Sequence, residues 1–278
     1  MATYLRPDEL EEALEALAAG GLTIVAGGTD FYPARVGRAL DDGVLDITGL
    51  GALRGIGEAD DAFRIGALAT WSELIATPLP PCFDGLKRAA REIGGVQVQN
   101  AGTICGNLCN ASPAADGVPN LLALDAVVET ASRDGVKRAP LARFITGNRE
   151  TVLGCDEMVT ALLVPKPARP ARSTFLKLGA RRYLVISIVM VAAVVEGDGA
   201  VAAARVAVGA CSAVARRLPE LEAALVGRPL DGTLGAVANE SHLAGLSPID
   251  DVRGSAVYRH DAALTLVRRA LDELGGAA

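Results

Sequence analysis

Leu10, Leu14 and Leu17 recur at helical spacing behind Pro7, Asp8 and Glu9, which are helix-start residues, and ahead of Gly20-Gly21, which stops the pattern. An amphipathic helix is predicted there. The period then changes to that of a strand: Leu22–Val25 is a short β-branched run ending on Gly27-Gly28 and the polar pair Thr29-Asp30. "VLDIT" and "FRIGAL" read as further strands, and Thr70-Trp71-Ser72-Glu73 has capping-box spacing at the head of a helix. Residues 84–93 read as a helix closed by Gly94-Gly95. Residues 100–119, "NAGTICGNLCNASPAADGVP", hold neither period for long and read as a loop. "PNLLALDA" then reads as an apolar helix and "AVVETAS" as a strand, with Asp134-Gly135 as a hairpin turn.

Residues 163–173, "LVPKPARPARS", interrupt this order with prolines and basic residues that sustain neither a helix nor a central strand. A boundary near 170 is predicted. Beyond it "STFLKLG", "ISIVMVAAVVEG" and "ARVAVGAC" read as strands, with a turn at Gly197-Asp198-Gly199, and "PELEAALVG" and "GSAVYRHDAALTLVRRALDELG" as helices. Strands followed by helices is an α+β order. With 278 residues, two or three compact units are expected.

Composition narrows the picture. Half the residues are apolar but only 4% are aromatic, so Ala, Val and Leu fill the interior, which suits tight helix–sheet packing. A net charge of −6 argues against a nucleic-acid partner, whose phosphates call for Lys and Arg. The longest apolar run, 184–195, is short of the roughly 18 to 20 residues of a membrane span, and the N-terminus carries no secretory pattern. The odd count of five cysteines makes a disulfide framework improbable and a cytoplasmic location the expectation.

Two segments carry candidate chemistry. Gly27-Gly28 after a strand is a simple turn or a backbone nest whose N–H groups converge on a diphosphate, with the Thr29 hydroxyl beside it. The spacing is not G-x-G-x-x-G, so a Rossmann site is not indicated. Gly102, Thr103, Gly106 and Asn107 repeat that chemistry in the second segment, and an extended nucleotide ligand bridging both is one reading. Asp116 either caps the following helix or accepts from a sugar-like hydroxyl. Cys105 and Cys109 lack the further ligands a metal needs, since the other cysteines are isolated and His242 and His260 lie far downstream. A redox pair stays open, although C-x-x-x-C is not the usual spacing; small buried apolar residues are the simpler reading. Lys177, Arg181 and Arg182 form a basic cluster, either solvated or carboxylate-paired, or engaged with a cofactor or partner. No G-x-S-x-G, Walker loop or H-E-x-x-H occurs, and no catalytic residue is assigned.

"IVAGGTDFYP", "NAGTICGNLCNASPAADGVPNLLALDA", "KLGARRYLVIS" and "GSAVYRHDAALTLVRRAL" together resemble, in order and over the whole chain, the FAD-binding medium subunit of molybdenum hydroxylases, the xanthine dehydrogenase and carbon monoxide dehydrogenase family. The resemblance implies an α+β chain: a two-subdomain FAD-binding fold of the vanillyl-alcohol oxidase and p-cresol methylhydroxylase type, over residues 1–55 and 56–168, then a C-terminal domain, 172–278, of a three-stranded antiparallel sheet with helices. It implies Ile24, Ala26, Gly27, Gly28, Thr29 and Asp30 around the FAD diphosphate, Thr103, Gly106 and Asn107 from the second segment, Asp116 on the ribose or an adjacent polar part, and Val159 and Lys177 lining the cofactor. Cys105 stands where a second glycine is common and Val185 where relatives often carry Asp; the cysteine-rich insertion that holds an extra iron–sulfur cluster in some relatives is missing. FAD, held non-covalently, is then the only cofactor implied here and no metal site is implied. Molybdopterin and [2Fe–2S] clusters are implied for a large and a small partner subunit, in a dimer of heterotrimers. The implied role is electron relay from those clusters to an external acceptor; a free-standing flavin-dependent oxidoreductase of the same fold is the alternative. A leucine at Gly28 is expected to obstruct the diphosphate loop.

Overall fold

The computed structural model describes residues 3–37, 41 and 43–276. Its first lobe is a parallel three-stranded sheet of β1 (Tyr4–Leu5), β2 (Leu22–Val25) and β3 (Gly43–Asp46), ordered β1-β3-β2, with α1 (Leu10–Ala19) as the crossover. Ala13, Leu14 and Leu17 are the buried stripe of α1. The helix begins three residues after Pro7, at Leu10, and ends at Gly20, whose φ of +82° no side-chain-bearing residue adopts readily.

The second lobe is an antiparallel five-stranded sheet of β4 (Ile56–Glu58), β5 (Ala62–Gly66), β6 (Val127–Ser132), β7 (Gly135–Pro140) and β10 (Met158–Pro165), ordered β4-β5-β10-β6-β7. A small hairpin, β8 (Ile145–Gly147) and β9 (Glu150–Thr151), lies between β7 and β10 in sequence. Between β5 and β6 run five helices: α2 (Trp71–Ala76), α3 (Asp84–Glu92), α4 (Val96–Ala101), α5 (Ile104–Asn110) and α6 (Gly117–Ala123). The capping box at Thr70 and Glu73 forms as predicted. The 100–119 segment is not the loop its composition predicts. It closes α4, forms α5 and enters α6, because Ile104, Cys105 and Leu108 bury one face of α5 while the Thr103 hydroxyl caps it, accepting from Gly106 N at 2.9 Å. Ala111, at φ 46°, stops it.

The third lobe is an antiparallel sheet of β11 (Ala171–Leu178), β12 (Val189–Asp198), β13 (Ala200–Gly209) and β14 (Arg216–Arg217), with α7 (Pro219–Leu225) and the long α8 (Ala256–Gly276). The fourth strand, only two residues long, adds to the three expected. The linker is shorter than its composition predicts. Pro165 ends β10 and Ala171 already pairs with Glu196, so only 166–170 are free of strand structure.

β12 explains the long apolar run. Met190, Ala192 and Val194 point into a core shared with the second lobe, and Val189, Val191, Ala193 and Val195 into a second core against α7 and α8. A strand covered on both faces loses the alternation that a half-exposed strand shows. No helix among the described residues is long and apolar enough to cross a membrane.

Candidate functional site

Between the first two lobes lies a cleft of about 630 Å³, within the ~300–1,000 Å³ usual for small-molecule sites. One wall is the turn after β2, and the other is built from Gly102, Thr103, Cys105, Gly106 and Asn107 around the head of α5. Among the described residues, nothing accepts from the backbone N–H groups of Gly27, Gly28, Thr29 or Asp30, so a row of donors is left for a ligand.

The two glycines serve different purposes. Gly28 has φ +65°, in the left-handed region. Gly27 permits close approach: a Cβ there would lie 1.8 Å from the Ala101 carbonyl oxygen, so the two walls meet backbone to backbone. A Cβ on Gly28 would meet the Tyr32 ring at 2.6 Å. Obstruction of the turn would therefore act through Tyr32.

Ile24, Ala26, Gly27, Gly28, Thr29, Asp30, Thr103, Gly106, Asn107 and Val159 all line this cleft. Asp116 and Lys177 do not. They form a buried ion pair at the head of α6, Lys177 Nζ lying 2.6 Å from Asp116 Oδ2 with 6% of each side chain exposed. The Ser187 hydroxyl donates to the other oxygen, Oδ1, at 2.5 Å. Asp116 does not cap α6 through its side chain, because both oxygens are committed to the third lobe. Burial pushes its carboxyl above the usual carboxylate range, with Lys177 and Ser187 pulling the other way. Glu92, at the end of α3, is also held high, first by burial and then by Asp116, against the pull of Lys177. The Lys177 cluster is thus carboxylate-paired at its lysine, while Arg181 and Arg182 are exposed.

Other lining residues carry little sequence signal. Arg149, at φ 60° in the β8–β9 turn, bridges the walls: Nη1 lies 3.0 Å from Asp30 Oδ2 and also donates to Asn110 Oδ1. The Arg35 guanidinium stacks 3.8 Å from the Phe31 ring centroid, an i, i+4 pair that "FYPAR" does contain. Ile93 and Val98 supply apolar lining.

The cysteines divide. Cys105 is 2% exposed, and burial holds its thiol well above the usual range, so the side chain that replaces a glycine is absorbed into the core. Cys109 is exposed in the cleft wall, contrary to the expectation that both are buried. Neither histidine lines the cleft. Among the described residues no group of His, Cys, Asp and Glu is arranged to hold a metal ion.

Comparison with known proteins agrees over the full length. Residues 1–167 match the FAD binding domain in molybdopterin dehydrogenase, and 174–274 the CO dehydrogenase flavoprotein C-terminal domain. The nicotine 6-hydroxylase medium subunit of Paenarthrobacter nicotinovorans is 30% identical over 276 residues, 98% of this chain and 96% of that one. The xanthine dehydrogenase FAD-binding subunit of Escherichia coli O157:H7 is 31% identical over 285 residues, covering 100% of this chain and 97% of that protein. The reconstituted CO dehydrogenase from Oligotropha carboxidovorans superposes with a TM-score of 0.91 at 25% identity, covering 100% of this chain and 99% of that one. With two family domains in sequence order and relatives matched over nearly the whole length, the chain belongs to the FAD-binding medium subunits of heteromeric molybdenum hydroxylases, oxidoreductases of the xanthine dehydrogenase family.

Proposed function

We propose that this chain is the electron-relay subunit of a three-subunit molybdenum hydroxylase, holding FAD non-covalently in the cleft between its first two lobes. The observation that carries the reading is the row of unclaimed N–H groups from Gly27 to Asp30, facing a wall of small residues and a hydroxyl. A diphosphate fits such a donor set, which presents fixed dipoles and no side-chain bulk. FAD, when bound, supplies two-electron storage that can be filled and emptied one electron at a time.

The chain's own part is positioning. Gly27 and Gly28 bring the donors to the diphosphate, with Thr29 and the Thr103 hydroxyl beside them. Gly106 and Asn107 border the opposite side, and Ile24, Ala26 and Val159 exclude water along the apolar floor. Asp30 acts through its link to Arg149, which holds the two walls at a fixed separation. Asp116 and Lys177 stand outside the cleft lining and pair with each other at the head of α6, so their part in holding the cofactor is indirect. No side chain is asked to move a proton to a substrate, which fits a subunit whose substrate is oxidised elsewhere.

Electrons enter from [2Fe–2S] clusters of a small subunit, after substrate oxidation at a molybdopterin centre in a large one, and leave to an external acceptor. The complex is a dimer of heterotrimers in the cytoplasm. Residues 1–55 and 56–168 act as the two FAD-binding subdomains and 172–278 as the C-terminal domain. Purified chain incubated with FAD should retain flavin absorbance after gel filtration, near one per chain, and Gly27→Val should lose it. A wild-type chain that stays colourless overturns the reading. For the relay, a tagged chain recovered from its native cells should bring down two further chains carrying iron and molybdenum; recovery alone, with its flavin reduced directly by a small substrate, would favour a free-standing oxidoreductase.

A further inference from the structure

Lys177 and Ser187 lie on opposite sides of one exposed loop, 179–186. Lys177 is the second-last residue of β11, and Ser187 comes two residues before β12 begins at Val189. Both reach the same carboxylate: Asp116 takes Lys177 at 2.6 Å on Oδ2 and Ser187 at 2.5 Å on Oδ1. Ile188 N donates to Leu178 O at 2.8 Å and closes the loop's base, and Arg259 Nη1 holds the Ile188 carbonyl at 2.6 Å. Val185 packs over Gly179, where a Cβ would come within 2.5 Å of it.

Above that base little holds the loop. Tyr183, Leu184 and Ile186 are 63%, 58% and 52% exposed, and Leu184 has φ 51°, strained for a branched residue. The Arg181 guanidinium donates to the Leu184 carbonyl within the loop. Towards the second lobe, Leu184 Cδ2 lies 3.8 Å from where a Cβ on Gly95 would sit. Gly95 is flanked by Ile93 and Val98, both in the cleft wall.

The geometry points to Asp116 as a positioning residue that pins both stems of the 179–186 loop to the head of α6, and so holds the loop against the Ile93–Val98 end of the cleft. Two charge-assisted bonds on one buried carboxylate are strong enough for this, and both partners come from the third lobe. The consequence for the cofactor rests on the FAD reading above; the pinning does not.

The test uses the full chain and trypsin. Arg181 and Arg182 in the loop are exposed, and so is Arg133 at the β6–β7 hairpin, which serves as an internal reference for general opening. Two variants remove the pin in different ways. Ser187→Ala deletes one bond and leaves the ion pair; Asp116→Asn with Lys177→Met removes both charges together and avoids stranding a buried one.

In each, cleavage at Arg181 or Arg182 relative to Arg133, without FAD, should rise about ten-fold or more, the size of losing a hydrogen bond to a charged group. FAD should also bind about two- to ten-fold more weakly, because binding must then order the loop. An unchanged cleavage ratio in both variants overturns the pinning. A raised ratio with wild-type FAD affinity overturns the loop's part in holding the cofactor. A wild-type chain that binds no FAD overturns the functional reading alone, since the ratio still reports the pin.

Discussion

Adding one methyl group to Gly27 or to its neighbour Gly28 poses two different physical problems. At Gly27 the obstacle is backbone, the Ala101 carbonyl at 1.8 Å, so the β2 turn and the end of α4 must separate. At Gly28 it is the Tyr32 ring at 2.6 Å, which can move, together with a φ of +65°. Gly27→Ala is therefore expected to cost about 1–3 kcal/mol of stability, as overpacking does, and to lose FAD. Gly28→Ala should recover partly when Tyr32→Ala removes the ring, leaving only the left-handed backbone cost of about 1–2 kcal/mol. Urea unfolding of the single and double variants, with bound flavin measured alongside, checks this. No recovery in the double variant would mean the ring is not the obstacle. The glycine pair was legible from its place after a strand, but the division of labour was not, because Ala101 and Tyr32 owe their positions to other elements. The Asp116 pairing was hidden for the same reason: Lys177 is 61 and Ser187 is 71 residues away.

At the scale of elements, α8 depends on the residues just ahead of it. Asp250 Oδ1 accepts from Ala256 N at 2.6 Å at its start, and Asp251 Oδ1 accepts from Arg259 Nη2 at 2.7 Å and from Arg253 N at 2.8 Å. Arg259 is 3% exposed and spans from there to the carbonyls of Ile188 and Ala210, so Asp251 holds the residue that joins α8 to β12 and β13. The Arg253 backbone bond, then Arg259, hold the Asp251 carboxyl down at about 2, against an ordinary 3.8. A carboxylate depressed in the folded state stabilises above the unfolded value, and that stability is lost as pH falls towards the folded one. Asp251→Asn should therefore lower stability at pH 7, with the difference shrinking below pH 4 and closing near pH 2. Urea midpoints across that range would show it; a gap that persists at low pH would assign the effect to shape instead. Periodicity foretold α1, α3 and α8, because each buries one consistent face, while β12 was legible as an unbroken apolar run because both its faces are covered. It failed at 100–119, where seven residues of α5 hold a helix by burying Ile104, Cys105 and Leu108 against tertiary neighbours rather than by propensity.

Over the whole molecule, the third lobe completes the second one. All of α6 is buried, and its ends are met by charged side chains from beyond the linker. Lys177 pairs with Asp116 at its head; at its tail, Arg205 Nε donates to the Ala123 carbonyl at 2.9 Å and Arg217 Nη1 to the Leu122 carbonyl at 3.0 Å. Phe175, Met190, Ala192 and Val194 belong to the same core as Ile104, Leu108 and Leu121. Arg88 on α3 joins Thr174 and Glu273 at 2.5 Å each, tying β11 and α8 to the second lobe. The two family segments cover 1–167 and 174–274, and the proline-rich run between them says nothing about the surfaces on either side of it. Cutting there would strand two helix-end carbonyls, at about 1–3 kcal/mol each, a buried carboxylate and the apolar face of α6 and α3. Against a typical margin of about 5–15 kcal/mol, residues 1–167 alone should fail to fold cooperatively or retain FAD, although they hold every cleft-lining residue. Co-expression with 168–278 should restore both, since the missing partners are non-covalent. Gel filtration with flavin absorbance, on 1–167 with and without the second fragment, decides it: a monomeric 1–167 that unfolds cooperatively and carries full flavin would show that the cleft stands without its third lobe.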